Sequence, residues 1–408
     1  MNPPSADVGR VSEDISRRYL YTNFRDSNYL APERSESDFV RQTLKEGYSP
    51  RTDAGFGKKE CLEIDIYYSN CYQSRPSGAL ISVYSWLVFC IMGILTGAVA
   101  FMIEYVEEFL VDNVWEISQD LIEDDKFIPG WAVYSVFAML FSASAALLSV
   151  YVGPGAIGSG IAEIMGYLNG VNYPGCISRL TLLVKILGVT LAVCGGLCVG
   201  KEGPLAHIGA CIGVCIVYVP MKFTSYFRND KDKRELVAAG ASAGVSAAFG
   251  CPIGGALFGF EISSPASFWS FKLMWKIFFA CSMATFTLNL LVAIRMGTNI
   301  NFINGGLIKF GGDRNANPYN LLNIPFFFIF GWFCGIMGAG FVFLNGKVNK
   351  LRKRILKSDV AKIVETTLIA LLTSTIVYFL PLLTPRCFEG NALGHQEHAR
   401  QYQCENSG

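Results

Sequence analysis

Two short stretches hold the residue types best suited to chemistry in an otherwise apolar chain. The first is Gly200-Lys201-Glu202-Gly203-Pro204-Leu205-Ala206-His207, set between Leu191–Val199 and Ile208–Val219. Two charges and a proline are costly there. Pro204 has a fixed φ and no N–H, so it belongs in the first turn of a helix. That makes Gly200–Gly203 the approach to a helix N-terminus, where unpaired N–H groups and the helix dipole favour an anion. Gly200 and Gly203 let backbone come close to whatever sits there. Glu202 is then a carboxylate placed where another anion could sit. Two readings are open. One is a charged interfacial loop in which Glu202 pairs with Lys201 or Lys185. The other is an anion site that Glu202 occupies or vacates.

The second stretch is Gly158-Ser159-Gly160-Ile161-Ala162-Glu163, which follows the apolar run Trp131–Ala156. Its order is the same: glycines, a small hydroxyl donor, then a short helical segment. Ser159 can donate a hydrogen bond without carrying charge. Two glycine-rich breaks, each opening a helix, are what discontinuous helices around a midplane anion site require. The anion-site candidates are Ser159, Gly160, Ile161, Gly203, Pro204 and Leu205, with Glu202 as the carboxylate that occupies or vacates the place.

The elements that must position these stretches are membrane helices. The 408 residues are 51% hydrophobic and 16% charged, with mean hydropathy +0.35 and net charge +1. Nothing in that balance points to nucleic acid. Met1–Ser77 is polar and lacks an N-terminal apolar run, so it reads as a cytosolic region (1–78) without a cleavable signal. Ala79–Ile103 is charge-free and, at about 25 residues, long enough to span a bilayer. Glu104–Asp125 then holds nine acidic residues and no lysine or arginine, whereas Met1–Ser77 holds eleven basic residues. That contrast favours a cytosolic N-terminus and a lumenal or extracellular 104–130. Ile128–Ile161 divides into a long tilted helix to about Val152, a break at Gly153-Pro154-Gly155, and the short helix after Ser159. Leu180–Val199 is a span interrupted by Lys185, an intramembrane charge and so a functional candidate. Leu205–Val219 is a short helix.

Lys222–Arg234 holds five basic residues and reads as a cytosolic loop. Leu236–Phe260 is rich in small residues that allow close helix approach, with a break at Gly250-Cys251-Pro252. Ile277–Ile294, Ile324–Leu344 and Thr366–Thr384 are further spans. A basic loop follows the second of these, and Asn299–Asn323 is a polar connector. The transmembrane region is thus 79–384 and the polar tail 385–408. Thirteen cysteines show no metal-ligand spacing and read as small hydrophobes. Cys387 and Cys404 in the tail are candidates for a disulfide in an oxidising lumen. His395 and His398 beside them lack the spacing of metal ligands. No HExxH or GxSxG occurs, so no enzyme, metal or cofactor is expected.

Gly158–Glu163 and Gly200–Pro204 resemble the first two signature motifs of the CLC chloride channel/transporter family, GSGIP-E and GKEGP. The second match is complete; the first departs at Ala162, where the family usually has proline. Phe227–Gly250 and Gly254–Glu261 resemble its late-endosomal/lysosomal branch. The resemblance implies an all-α polytopic membrane protein with the CLC-like inverted-repeat fold of tilted and discontinuous helices. No GxFxP signature follows Glu261, and there is no room for the paired regulatory domains of eukaryotic members. The chain is therefore expected to hold the first repeat and the start of the second, as a truncated product.

The implied function is voltage-gated chloride transport, with chloride as ligand and a glutamate gate. The implied partners are membrane lipids and a second copy of the chain in a homodimer, weakened here by the missing helices. Proton-coupled members carry two glutamates at the end of the Gly254–Glu261 helix. Here Glu261, the candidate for a proton pathway, is followed by Ile262, which resembles the passive channels. Family members that prefer nitrate have proline at the place of Ser159. Channel-like transport is the first expectation. A chloride/proton exchanger and a non-conducting subunit are the alternatives, in an endosomal, lysosomal or other intracellular membrane.

Overall fold

A computed structural model of the chain describes residues 79–123, 126–171, 175–219, 224–227, 230–264, 268–297, 323–356 and 358–383. The N-terminal region, the connector at 298–322, and the tail with Cys387, Cys404, His395 and His398 lie outside the described residues. The described chain is helical: α1 Ala79–Glu123, α2 Phe127–Leu147, α3 Ile161–Leu168, α4 Arg179–Cys194, α5 Glu202–Val217, α6 Asp230–Phe249, α7 Pro252–Ser263, α8 Phe271–Met296, α9 Ile324–Ile355 and α10 Asp359–Leu383. Five helices are long and apolar enough to cross a membrane.

Helix boundaries follow local chemistry. Ser178 caps α4 by accepting the Thr181 N–H at 3.1 Å, and Ser270 caps α8 by accepting from Leu273 at 3.3 Å. Pro252 opens α7, as a residue with no N–H to offer should. Gly297 ends α8 at φ 61°, the left-handed conformation that glycine adopts freely. After α2 the chain passes through a π turn (Leu148–Val152) and a 3-10 turn (Pro154–Ala156) before α3. This is the break expected at Gly153-Pro154-Gly155.

The acidic stretch 104–123 continues α1 beyond the expected span, in one 45-residue helix. At 1.5 Å per residue it runs about 67 Å, well beyond one bilayer core. Three of its carboxylates are held in cross-helix pairs: Glu104 and Glu107 with Lys201, and Glu108 with Arg295. Lys233 and Arg234 are not solvated loop residues. They lie in α6 and are buried with Asp232 and Glu235. Arg234 donates to the Tyr167 carbonyl and lies over the Tyr167 ring, 4.8 Å from its centroid. A charge count along the sequence does not reveal such partners.

The centre of the molecule is the α5/α6 crossing, with α1 and α8 around it. A Cβ on Gly209 would run into the Gly240 carbonyl oxygen, and one on Gly240 into the Gly209 carbonyl oxygen. Gly244 abuts the Leu205 carbonyl in the same way. Gly93 of α1 meets the Ala280 carbonyl of α8. Backbone thus packs on backbone, as small-residue interfaces in membranes do. α2 and α10 are joined by Trp131 Nε1 donating to Thr375 Oγ1 (3.2 Å) and Tyr378 Oη to the Phe127 carbonyl (3.0 Å). α9 is exposed along its length within the described chain.

Gly240→Leu is expected to force α5 and α6 apart, at a cost of about 1–3 kcal/mol or more. Gly335→Leu on α9, where a Cβ meets nothing within 4 Å, is the matched control. Thermal unfolding in detergent should drop for the first variant and hold for the second.

Candidate anion site at two converging helix starts

The 3-10 turn and the residues after it hold the first half of the site. Gly158 and Gly160 have φ of 77° and 86°, which only glycine takes up without strain. Together they turn the chain so that α3 starts at Ile161. Its first N–H in the ladder is that of Ile164, bonded to the Gly160 carbonyl at 3.0 Å. The amides of Gly160, Ile161, Ala162 and Glu163 therefore precede the intrahelical pattern. Ser159 is exposed, and its Oγ accepts the Ile161 N–H at 3.4 Å. The hydroxyl proton stays available to an incoming acceptor. Ala162 also keeps an N–H that a proline would lack, so the departure from the GSGIP pattern adds a donor.

The second half is the start of α5. Helix geometry begins at Glu202, inside the stretch Gly200–Gly203 that the sequence reading took as the approach to the helix, with Lys201 as N-cap and Pro204 in the first turn. The Leu205 N–H is already bonded to the Lys201 carbonyl at 2.9 Å, and Pro204 has none. Of the candidate donors Gly203, Pro204 and Leu205, only Gly203 has an amide ahead of the ladder. Leu205 is instead fully buried against α6.

The two halves touch. A Cβ placed on Gly203 would lie 2.8 Å from Ser159 Cβ and 3.7 Å from Ile161 Cδ1. A Cβ on Gly160 would fall within the His207 ring. His207 is fully buried, and its Nε2 donates to the Cys176 carbonyl at 2.9 Å, so the ring is a strut beneath Gly160. Its tautomer follows from that carbonyl partner. Glu202 is half-buried, and its carboxylate folds back over Gly200, where a Cβ would collide with it.

Neither proposed salt bridge to Glu202 is present. Lys201 reaches across to α1, pairing with Glu104 and with Glu107 Oε2 at 3.1 Å. Lys185, buried in α4, donates to the carbonyls of Ala156 (2.8 Å) and Gly158 (2.6 Å). It holds the non-helical turn that presents Ser159. Among the described residues Glu202 has no ion pair. Glu261 stands on an exposed flank of α7, whereas Ile262 points into the core at 4% exposure. No group of three or more metal-ligating side chains comes together among the described residues. The sequence reading missed the carbonyl partners of Lys185, the strut role of His207 and the pairing of Lys201. Only Lys185 carried a signal, being a charge inside an apolar run.

The family description "Voltage gated chloride channel" matches residues 136–401. The chain belongs to the voltage-gated chloride channel family. Chloride channel protein A of Dictyostelium discoideum is 35% identical to it over 358 residues, covering 84% of this chain and 41% of that protein. The H(+)/Cl(-) exchange transporter 7 of Homo sapiens is 38% identical over 314 residues, covering 74% and 38%. This family member thus spans about two fifths of the length of those curated relatives. Its fold is that of solved CLC transporters. A slow cyanobacterial Cl-/H+ antiporter superposes with TM-score 0.58 at 22% identity, covering 71% of this chain and 64% of that one. A eukaryotic CLC transporter superposes with TM-score 0.59 at 19% identity, covering 73% and 50%. With its apolar helices, the chain is a multi-pass membrane protein of this family.

Lys185→Met should leave the carbonyls of Ala156 and Gly158 unpaired and loosen the Ser159 turn. The expected loss is about 1–3 kcal/mol, since removing a buried ammonium offsets part of the penalty. A lowered unfolding midpoint, with Lys185→Arg closer to wild type, is the result to look for.

Proposed function

We propose that the site conducts chloride through a CLC-type path gated by Glu202. The observation that carries this reading is the contact of Gly203 with Ser159, which aims two helix starts at one place, beside a carboxylate that has no ion pair. A dehydrated chloride would take the Ser159 hydroxyl proton and the amides of Gly160, Ile161 and Gly203 in place of water. The positive ends of α3 and α5 add to its binding. Chloride and the Glu202 carboxylate then compete for one set of donors. With the carboxylate in, the path is shut; with it protonated or displaced, the path opens. Chloride concentration and pH on that side both move the gate.

Channel-like transport is the first form of this proposal, because Ile262 leaves no titratable side chain where the resemblance puts an internal proton acceptor. Exchange of chloride for protons is the second. It is favoured by relatives such as the mouse and human proteins named H(+)/Cl(-) exchange transporter 7, each 38% identical. A non-conducting subunit or regulator is the third. The proposed setting is an intracellular membrane of the endosomal or lysosomal kind. There the acidic end of α1 faces the lumen, and the chain forms homodimers.

Chloride flux from liposomes across pH 5 to 8 tests the gate. Glu202→Gln should give a flux independent of pH and of chloride, with no accompanying proton movement. A variant that keeps the wild-type dependence removes Glu202 from the role. Proton flux driven by a chloride gradient in the wild type would decide for exchange.

Anion choice tests the other half. Ser159→Pro removes the hydroxyl donor that favours a compact halide, and should raise nitrate over chloride permeability. Reversal potentials in mixed nitrate and chloride are the measurement; no change would mean that Ser159 does not touch the ion.

A further inference from the structure

Resting on the reading of Glu202 as the gate, a second layer of control is visible in how its neighbour is held. Lys201 directly precedes Glu202 and is the N-cap of α5. An ammonium on the adjacent residue is an obvious partner for a carboxylate that must remain free to move. Lys201 instead turns to α1, where Glu104 and Glu107 lie one helical turn apart on one face. Side-chain exposure at the three is 14–18%, so the pairing is shielded from water and stronger than a surface contact. Of the other charges near these helix starts, Glu163 in the first turn of α3 acts on Lys185, not on Lys201. Glu108 of α1 pairs with Arg295 of α8, and Lys185 is bonded to two carbonyls. Cys194 of α4 is the remaining titratable neighbour of the pair.

We infer that Glu104 and Glu107 are positioning residues for the gate: they sequester Lys201, and so keep Glu202 unpaired and able to compete with chloride. Without both carboxylates, Lys201 is released to pair with Glu202, the next residue in the chain. The new pair would hold the gate carboxylate away from the donors at the two helix starts. Two carboxylates do this better than one, since loss of either leaves Lys201 engaged.

Titration calorimetry of chloride into the full chain in nanodiscs tests this without requiring flux. Glu202→Gln removes the competitor and should tighten chloride binding by about threefold or more. Glu104→Gln/Glu107→Gln should tighten it in the same direction, whereas each single change stays near wild type. Adding Lys201→Met to the double variant should bring affinity back towards wild type, which a merely structural role for the glutamates would not produce. Glu104→Asp/Glu107→Asp keeps both charges but withdraws them by a methylene. It should shift affinity the same way and serves if the glutamine pair fails to fold. Wild-type affinity in both double variants, beside a tightened Glu202→Gln, overturns the inference and leaves the gate reading standing. So does a tightened double variant that Lys201→Met does not reverse. An unchanged Glu202→Gln, or no chloride binding in any variant, rejects the gate reading and this inference with it.

Discussion

A buried ammonium group holds the break in the chain on which the site depends. Between α2 and α3 the backbone leaves the helix for about a dozen residues in an apolar setting. There each unpaired carbonyl is costly, and non-helical backbone survives only where protein groups satisfy it. Lys185 supplies that satisfaction to Ala156 and Gly158 at once. The same two bonds compensate the ammonium, which has no salt bridge to a carboxylate among the described residues. Cation and carbonyls are each expensive alone in this place, and together they fix the turn that presents Ser159. Gly158 and Gly160 can then adopt positive φ and start α3 in the required direction.

Direction alone would not make a site; α3 and α5 must also come close. That distance is set by missing side chains. Gly203 on Ser159, Gly160 on His207, and Gly209 on Gly240 are three contacts in which a single added carbon collides. The first two bring the helix starts together. The third seats α5 against α6 and so fixes where the first two can occur. The α5/α6 core therefore acts on the site through rigid placement of one helix end. His207 contributes from below, its ring held by the Cys176 carbonyl.

Much of this was legible in the sequence. The breaks at Gly153–Gly155 and Gly250–Pro252, the helix starts at Ile161 and near Pro204, and the small-residue face of α6 follow from local rules for glycine, proline and apolar length. What was not legible depends on partners distant in the chain. Lys201 meets Glu104 and Glu107 across nearly a hundred residues, and Arg234 meets the Tyr167 carbonyl 67 residues away. A charge run reads as solvated until its partner is placed beside it. This is why the cross-helix pairs of 104–108 and the burial of Lys233-Arg234 were not foreseen. The donor set was also only half visible. Which amides are free depends on the residue at which the helix ladder begins, and the earlier start of α5 consumes the Leu205 N–H while leaving that of Gly203.

The charges around the start of α5 separate by role once their partners are compared. Glu104, Glu107, Lys201, Glu108 and Arg295 are held in cross-helix pairs, and Lys185 is held by backbone. Each is fixed by a contact that would cost free energy to break. Glu202 is the exception among these named groups, at the point where unsatisfied helix amides are most concentrated. A carboxylate in that position has favourable places to go, over Gly200 or onto the donors, and no ion pair to give up in moving between them. In the proposed gate, mobility of the one group would follow from the engagement of its neighbours. That division, fixed charges around one unpaired carboxylate, is the physical requirement for a side chain that exchanges with a diffusing anion.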